Sequence, residues 1–222
     1  MKILGILGSP RPRGNTAMLL DAVLASAQAA GAETERVDLA HADLTFCVGC
    51  GQCHRRGRCQ YEDDAEAIKD HMLAADGIVL GSPVYLWGVT AQLKTLMDRC
   101  GHFVHCLLLD GKYGAAVATA GGSGEDEIAE FELGFLRHCG AQTVGATGAL
   151  GTHPHGLVDE AAALARAEAL GRELVAAIAE RRAYPEQQPA RDELFGRMKW
   201  LVTAWGEAYP AQYEHWRERG WL

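Results

Sequence analysis

"KILGILGSPRPRGNTAMLLDAVLASAQAAG", residues 2–31, contains the pattern on which the fold turns. Residues 2–7 are a short, nearly all-apolar run ending at Gly8, the length of a buried strand rather than a helix. "GSPRPRGNT" (8–16) follows, rich in the residues that interrupt regular structure. Beyond it Leu20, Val23, Leu24 and Ala27 recur at helical spacing, and Gly31 is a stop signal. Buried strand, glycine-bearing turn and amphipathic helix make the first half of a βαβ unit.

The unit recurs along the chain. "ETERVDLA" (33–40) alternates as a half-buried edge strand does, and after a cysteine-rich segment a helix is predicted from about Asp63 to Ala75. "DGIVLGSP" (76–83) is a buried strand and "TAQLKTLMDRCG" (90–101) a helix. "YGAAVATAGGSG" (113–124) runs from strand into glycine-rich loop, followed by a helix over Glu125–Cys139. "AQTVGATGAL" (141–150) is the fifth strand, and residues 158–183 the fifth helix, with Leu170, Leu174 and Ile178 on one stripe. Five alternations with apolar strands imply a parallel sheet covered on both faces. Right-handed crossovers then favour a flavodoxin-like, doubly wound, five-stranded parallel sheet of order 2-1-3-4-5.

This α/β domain is expected to span residues 1–183. "YPEQQPARDE" (184–193) reads as a polar linker, and Leu194, Met198, Leu201, Val202 and Trp205 share one face of a C-terminal helical extension. The segment 184–222 holds four of the five tryptophans. Too short to own a core, this arm must pack its aromatics on the parent domain, at a subunit interface or over the active site.

With a formal net charge of −8 among 222 residues, the chain is a poor match for nucleic acid or an anionic membrane. The basic run His54–Arg58 stands against that background, either as a solvated loop or as a docking patch for an anionic cofactor or protein. Residues 1–12 lack the apolar core of a secretory signal, and no run approaches the ~18 apolar residues of a membrane span. A cytoplasmic location is therefore expected, where thiols stay reduced. Seven cysteines there point to metal or redox chemistry, with the scattered Cys100, Cys106 and Cys139 as buried packing.

Ligands of open parallel sheets bind beyond the carboxyl ends of the strands, where three unusual loops lie. In the first, Ser9, Asn15 and Thr16 offer donors, Arg11 and Arg13 offer charge, and Gly14 allows close backbone approach. With a helix N-terminus behind it, this loop suits a phosphate. It is neither G-x-x-x-x-G-K-[ST] nor G-x-G-x-x-G, which disfavours a nucleoside triphosphate or a dinucleotide. The second, Pro83, Val84, Tyr85, Leu86, Trp87 and Gly88, is a stiff turn suited to a planar ring. The third, Thr119, Ala120, Gly121, Gly122 and Ser123, lets a ring press on backbone. Together they describe one pocket for a phosphorylated, planar, apolar-faced ligand.

Cys47, Cys50, Cys53 and Cys59 read C-x2-C-x2-C-x5-C in the loop 46–60. Four thiolates so spaced can hold a [4Fe–4S] cluster. Zinc usually takes two separated pairs, whereas here Cys50 serves both C-x2-C steps. An empty or redox-active thiol loop is the third reading.

"GSPRPRGNT" resembles the phosphate loop of the NADPH-dependent FMN reductase branch of flavodoxin-like proteins, and "GSPVYLWGVTAQLKTLMDR" (81–99) its isoalloxazine loop and following helix; the resemblance covers about residues 1–150. It implies FMN, with the phosphate at Ser9, Arg11, Asn15 and Thr16 and with Arg13 and Gly14 as further contacts. The ring would lie against Pro83–Gly88, with Thr119–Ser123 closing the site. No catalytic side chain is expected, because the flavin carries the chemistry. The cysteine spacing is similar to that of the iron–sulfur flavoproteins, a subgroup of that branch.

The resulting expectation is an FMN-dependent oxidoreductase moving electrons between NAD(P)H or another donor and a one-electron carrier through FMN and a [4Fe–4S] cluster. A cluster-free NAD(P)H-dependent FMN or quinone reductase is the alternative, and a zinc-stabilised binding module a third. The resemblance further implies a homo-oligomer, dimer or tetramer, and a redox partner protein such as a ferredoxin.

Overall fold

The computed structural model describes residues 1–152 and 155–222. Five strands, β1 (Lys2–Leu7), β2 (Glu33–Asp38), β3 (Gly77–Pro83), β4 (Tyr113–Ala120) and β5 (Gln142–Leu150), form one parallel sheet in the order β2-β1-β3-β4-β5. This is the flavodoxin-like order expected from the sequence. In chain order the helices are α1 (Asn15–Ala29), α2 (Gln52–Arg56), α3 (Asp64–Ala74), α4 (Ala91–Arg99), α5 (Gly101–Cys106), α6 (Glu125–His138), α7 (Glu160–Glu180), α8 (Gln188–Trp205) and α9 (Pro210–Glu218).

Strand alternation sorts the core into two layers. Ile3 and Leu7 of β1 join Leu20, Val23 and Leu24 of α1 and Leu170 and Leu174 of α7 on one face. Leu4 and Ile6 join Ile68 and Met72 of α3 and Leu93 and Leu96 of α4 on the other. Helices α1 and α7 cross at unusually close range, because Gly171 presents only hydrogen. A Cβ there would press directly on the Val23 carbonyl oxygen and lie 3.2 Å from the Ala27 nitrogen.

Three features depart from the sequence expectation. The cysteine loop contains the short helix α2, bounded by Gly51 and Gly57 in left-handed conformations. The helix ending near Gly101 breaks at Cys100 and restarts as α5, whose Phe103 and Cys106 are buried. Residues 188–193, expected as linker, already form the first turns of α8, with Pro189 at a position where its missing N–H costs nothing. Just before it, the Gln187 carboxamide accepts from the Thr143 N–H at 3.0 Å and donates to the Thr143 carbonyl at 2.7 Å, covering part of the β5 edge.

The arm packs on α5. Trp216 of α9 is fully buried, donates its indole N–H to the His105 carbonyl at 2.8 Å, and shares a cluster with Cys106, Leu107, Leu194, Met198 and Val202. Trp205 lies off that stripe, 41% exposed, against the rings of His105 and Tyr209. Cys100, Cys106 and Cys139 are buried free thiols, as expected. Among the described residues, no helix is long and apolar enough to cross a membrane.

Candidate functional site

The strand-tip loops are tied to one another by hydrogen bonds. Gly8 N–H donates to the Gly81 carbonyl (2.7 Å), and the Thr90 hydroxyl donates to the Gly8 carbonyl (2.6 Å), joining the first loop to the second. Val84 N–H donates to the Thr119 carbonyl (2.7 Å), joining the second to the third. The Thr16 and Thr119 hydroxyls share a 2.7 Å bond across the middle. Between them opens a cavity of about 330 Å³ beyond the carboxyl ends of β1, β3, β4 and β5.

Ser9, Arg11, Gly14, Asn15 and Thr16 line it from the first loop, Pro83, Val84 and Tyr85 from the second, and Thr119, Ala120 and Gly121 from the third. Arg13, Leu86, Trp87, Gly88, Gly122 and Ser123 do not line it. Leu86 and Trp87 project outward instead, 91% and 85% exposed. They are the central residues of a tight hairpin in which Tyr85 and Gly88 exchange two backbone bonds, of 2.8 and 3.0 Å. Their φ values of 47° and 60° give the type I′ geometry that normally selects Asn or Gly, so two bulky residues are held there under strain.

The phosphate end has specific electrostatics. α1 has no acidic residue in its first turn and no side-chain cap, leaving the N–H groups of Asn15, Thr16 and Ala17 at a positive helix end. The neighbouring helix start, α6, carries Glu125, Asp126 and Glu127 and would repel an anion. Within the loop, the Ser9 hydroxyl oxygen accepts from the Arg11 N–H at 3.1 Å and sets its turn. The Asn15 side chain is committed elsewhere. Its Nδ2 donates to the Gly156 carbonyl at 2.7 Å and its Oδ1 accepts from the Gly156 N–H at 3.2 Å. Asn15 thus latches a fourth loop against the cavity, bringing in Gly151, Thr152 and His155, which sequence reading missed. Their position just past β5 was the available signal. An anion-binding end, an apolar wall at Pro83–Tyr85 and bare backbone at Gly121 fit the phosphate and flat ring of FMN.

Cys47, Cys50, Cys53 and Cys59 all line a second cavity, of about 260 Å³. All four are free thiols. Gly49, Gly51 and Gly57 have φ of 65°, 71° and 75°, the left-handed turns that fold the loop back on itself. The Gly49 N–H reaches the Cys47 sulfur at 3.5 Å. Burial pushes the Cys53 thiol above its ordinary range, with the nearby Lys69 cation acting in the opposite direction. Among the described residues, no three potential ligands are gathered closely enough for one metal ion. Four thiols on one cavity are the kind of donor set that a [4Fe–4S] cluster takes, each thiolate meeting a different iron.

The loop is pinned from beneath. The Arg99 and Asp63 side chains, 1% and 3% exposed, form a two-pronged pair with bonds of 2.7 and 3.0 Å, and Arg99 also donates to the Thr45 carbonyl at 2.6 Å. Burial would raise the Asp63 carboxyl, but bonds from Arg99 and from the Thr45 and Ala65 amides hold it at about 2. From the other side the arm supplies Trp205 and Tyr209, which line the cysteine cavity. His54, next to Cys53, stacks on His105 with ring centres 4.2 Å apart. Of the basic run, Arg55 lies over the Tyr209 ring and Arg58 pairs with Glu66 and Asp70.

Comparison with known proteins agrees with this geometry. The sequence profile described as NADPH-dependent FMN reductase matches residues 1–155. An iron-sulfur flavoprotein of Archaeoglobus fulgidus is 35% identical over 224 residues, covering 100% of both chains. One from Methanocaldococcus jannaschii is 45% identical over 141 residues, covering 62% of this chain and 73% of its own length. An archaeal flavodoxin superposes with a TM-score of 0.54 at 17% identity, over 80% of this chain and 99% of that one, a likeness of fold alone. The chain belongs to the NADPH-dependent FMN reductase family and is an FMN-dependent oxidoreductase.

Proposed function

We propose that this chain is an iron–sulfur flavoprotein. The domain 1–183 would hold FMN at the strand tips and a [4Fe–4S] cluster on Cys47, Cys50, Cys53 and Cys59, and the arm 184–222 would wall the cluster. The carrying observation is that four thiols from one short loop line a single cavity. A relative matched over its full length and one matched over 73% of its length, both named iron-sulfur flavoproteins, support the reading.

When bound, FMN would supply two-electron exchange with NAD(P)H or another donor and one-electron exchange with a cluster or a ferredoxin-like partner. The protein's part is to bind and shape. First-turn amides of α1 with Ser9 and Arg11 hold the phosphate; Pro83, Val84 and Tyr85 face the ring; Thr119–Gly121 approach it with backbone. The latch from Asn15 to Gly156 holds the loop after β5 against the cavity. No general acid or nucleophile is assigned. A homo-oligomer belongs to the proposal, supported by the outward apolar side chains Phe46, Val48, Leu86 and Trp87.

Anaerobic purification followed by FMN, iron and sulfide analysis tests this. About four irons and four sulfides per FMN are expected. Fewer than about three irons per FMN, with rapid reduction of the flavin by NAD(P)H, would replace it with a cluster-free FMN or quinone reductase.

A further inference from the structure

We propose that Arg99 is a positioning residue for the electron-accepting group of the cysteine loop, donating its ε N–H to sulfur at Cys59 and thereby raising that group's reduction potential. This rests on the cluster reading above.

The geometry leaves the ε nitrogen of Arg99 without a partner. Its guanidinium is fixed by the η nitrogens, through Nη1 to Asp63 and the Thr45 carbonyl and through Nη2 to Asp63. Its Nε is fully buried and has no hydrogen-bond partner among the described residues. A buried charged donor left unpaired is costly, so such a group implies an acceptor. The residue lines the same cavity as the four cysteines, and after Asp63 the Cys59 thiol is the group that most favours its charged form. The Asp63 carboxylate binds at the η edge, which leaves the ε side free.

Placement on the chain fits the same role. Arg99 ends α4, a fixed point of the core, while Thr45 and Asp63 flank the cysteine segment on either side. One side chain therefore closes the base of the loop and directs a donor into it. Reduction adds negative charge to a thiolate-bound cluster, and a buried cationic donor at sulfur stabilises that added charge more than it stabilises the oxidised form. The second cation near the loop, Lys69, is compensated differently: it is buried, pairs with Glu66 and lies over the Phe103 ring at 5.9 Å. It does not line the cavity.

The test is a potentiometric titration of iron-replete protein, followed by visible absorption and EPR. It compares wild type with Arg99→Gln/Asp63→Asn, which removes donor and charge while keeping both positions polar. The double variant should show a midpoint lower by about 59 mV or more, a tenfold change in the reduced-to-oxidised ratio for one electron. Equal iron content with a midpoint change corresponding to less than about threefold in that ratio overturns the inference. Should the double variant not retain iron, Arg99→Lys is read in the same way, since it keeps the charge and lacks the ε N–H. A lowered midpoint there supports the role, and an unchanged one, or a loss of iron there too, overturns it in favour of a purely structural clamp. Wild type lacking iron after anaerobic purification would instead defeat the cluster reading, a separate outcome.

Discussion

Replacing Gly171 by alanine adds one methyl group at the tightest helix crossing in the protein. The new Cβ would sit against the Val23 carbonyl oxygen, with the Val23 carbon 3.1 Å and the Ala27 nitrogen 3.2 Å away. All three obstacles are main-chain atoms of α1, so no rotamer change relieves them. The helices must part by about 1 Å, and forced overpacking of this kind costs about 1–3 kcal/mol. Because the contact is with backbone, the upper half of that range applies, about 2–3 kcal/mol. Removing a mid-helix glycine returns about 1 kcal/mol. The net loss is about 1–2 kcal/mol, which for a chain of this length lowers Tm by roughly 2–8 °C. A matched control is Gly134→Ala in α6, where only the Arg137 guanidinium tip lies within 4 Å, at 3.9 Å. That variant should gain up to about 1 kcal/mol. Moving α1 also moves the helix end that meets the phosphate, so FMN should bind more weakly to Gly171→Ala than to wild type. Calorimetry and FMN fluorescence titration read both quantities. A Gly171→Ala protein that melts at or above wild type would show that the α1–α7 distance is not set as described.

Asn15→Ala should weaken FMN binding about tenfold by freeing the Gly156 loop, whereas Arg13→Ala, outside the cavity, should leave the fluorescence-titrated affinity nearly unchanged. Trp216→Phe keeps most of the buried volume but strips the His105 carbonyl of its donor, and urea denaturation should register a loss of about 1–2 kcal/mol. His102 is 7% exposed, and burial drives its imidazole from 6.5 down to about 3. Above pH 6.5 it is neutral folded or unfolded; below, only the unfolded chain takes the proton. Stability should therefore fall between pH 6.5 and 3 by about 1.4 kcal/mol per unit from this group, roughly 2 kcal/mol at pH 5. His102→Gln should flatten that part of the stability-versus-pH curve, and an unchanged slope would refute the assignment.

Periodicity made the sheet legible, since β1, β3 and β4 are nearly continuous apolar runs, β2 alternates as an edge strand, and the long helices between strands carry a stripe facing the sheet. The strand-tip rule then located Ser9, Pro83 and Thr119 at one cavity. Contacts between distant positions were not legible. Asn15 looked like a phosphate donor because its partner, Gly156, lies 141 residues away. The Arg99–Asp63 clamp spans 36 residues and breaks no local rule. Trp205 followed the helical stripe in the sequence, yet the stacked histidines of α2 and α5 drew it out of the arm's core. The cysteine spacing announced a shared site, while the walling of that site by Trp205 and Tyr209 of the arm is a property of the folded chain alone.

Helix α4 works as a ruler between two distinct chemistries. At one end Thr90 caps it and holds the Gly8 carbonyl; at the other Arg99 grips the base of the cysteine segment. Nine residues at about 1.5 Å each set an axial span of about 13–14 Å. A rod of that kind neither stretches nor buckles under thermal forces, so swapping the surface side chains of α4 should be tolerated. Adding or deleting a single residue would both lengthen the span and rotate Arg99 by about 100° out of its socket. Length in this helix is therefore under tighter constraint than composition.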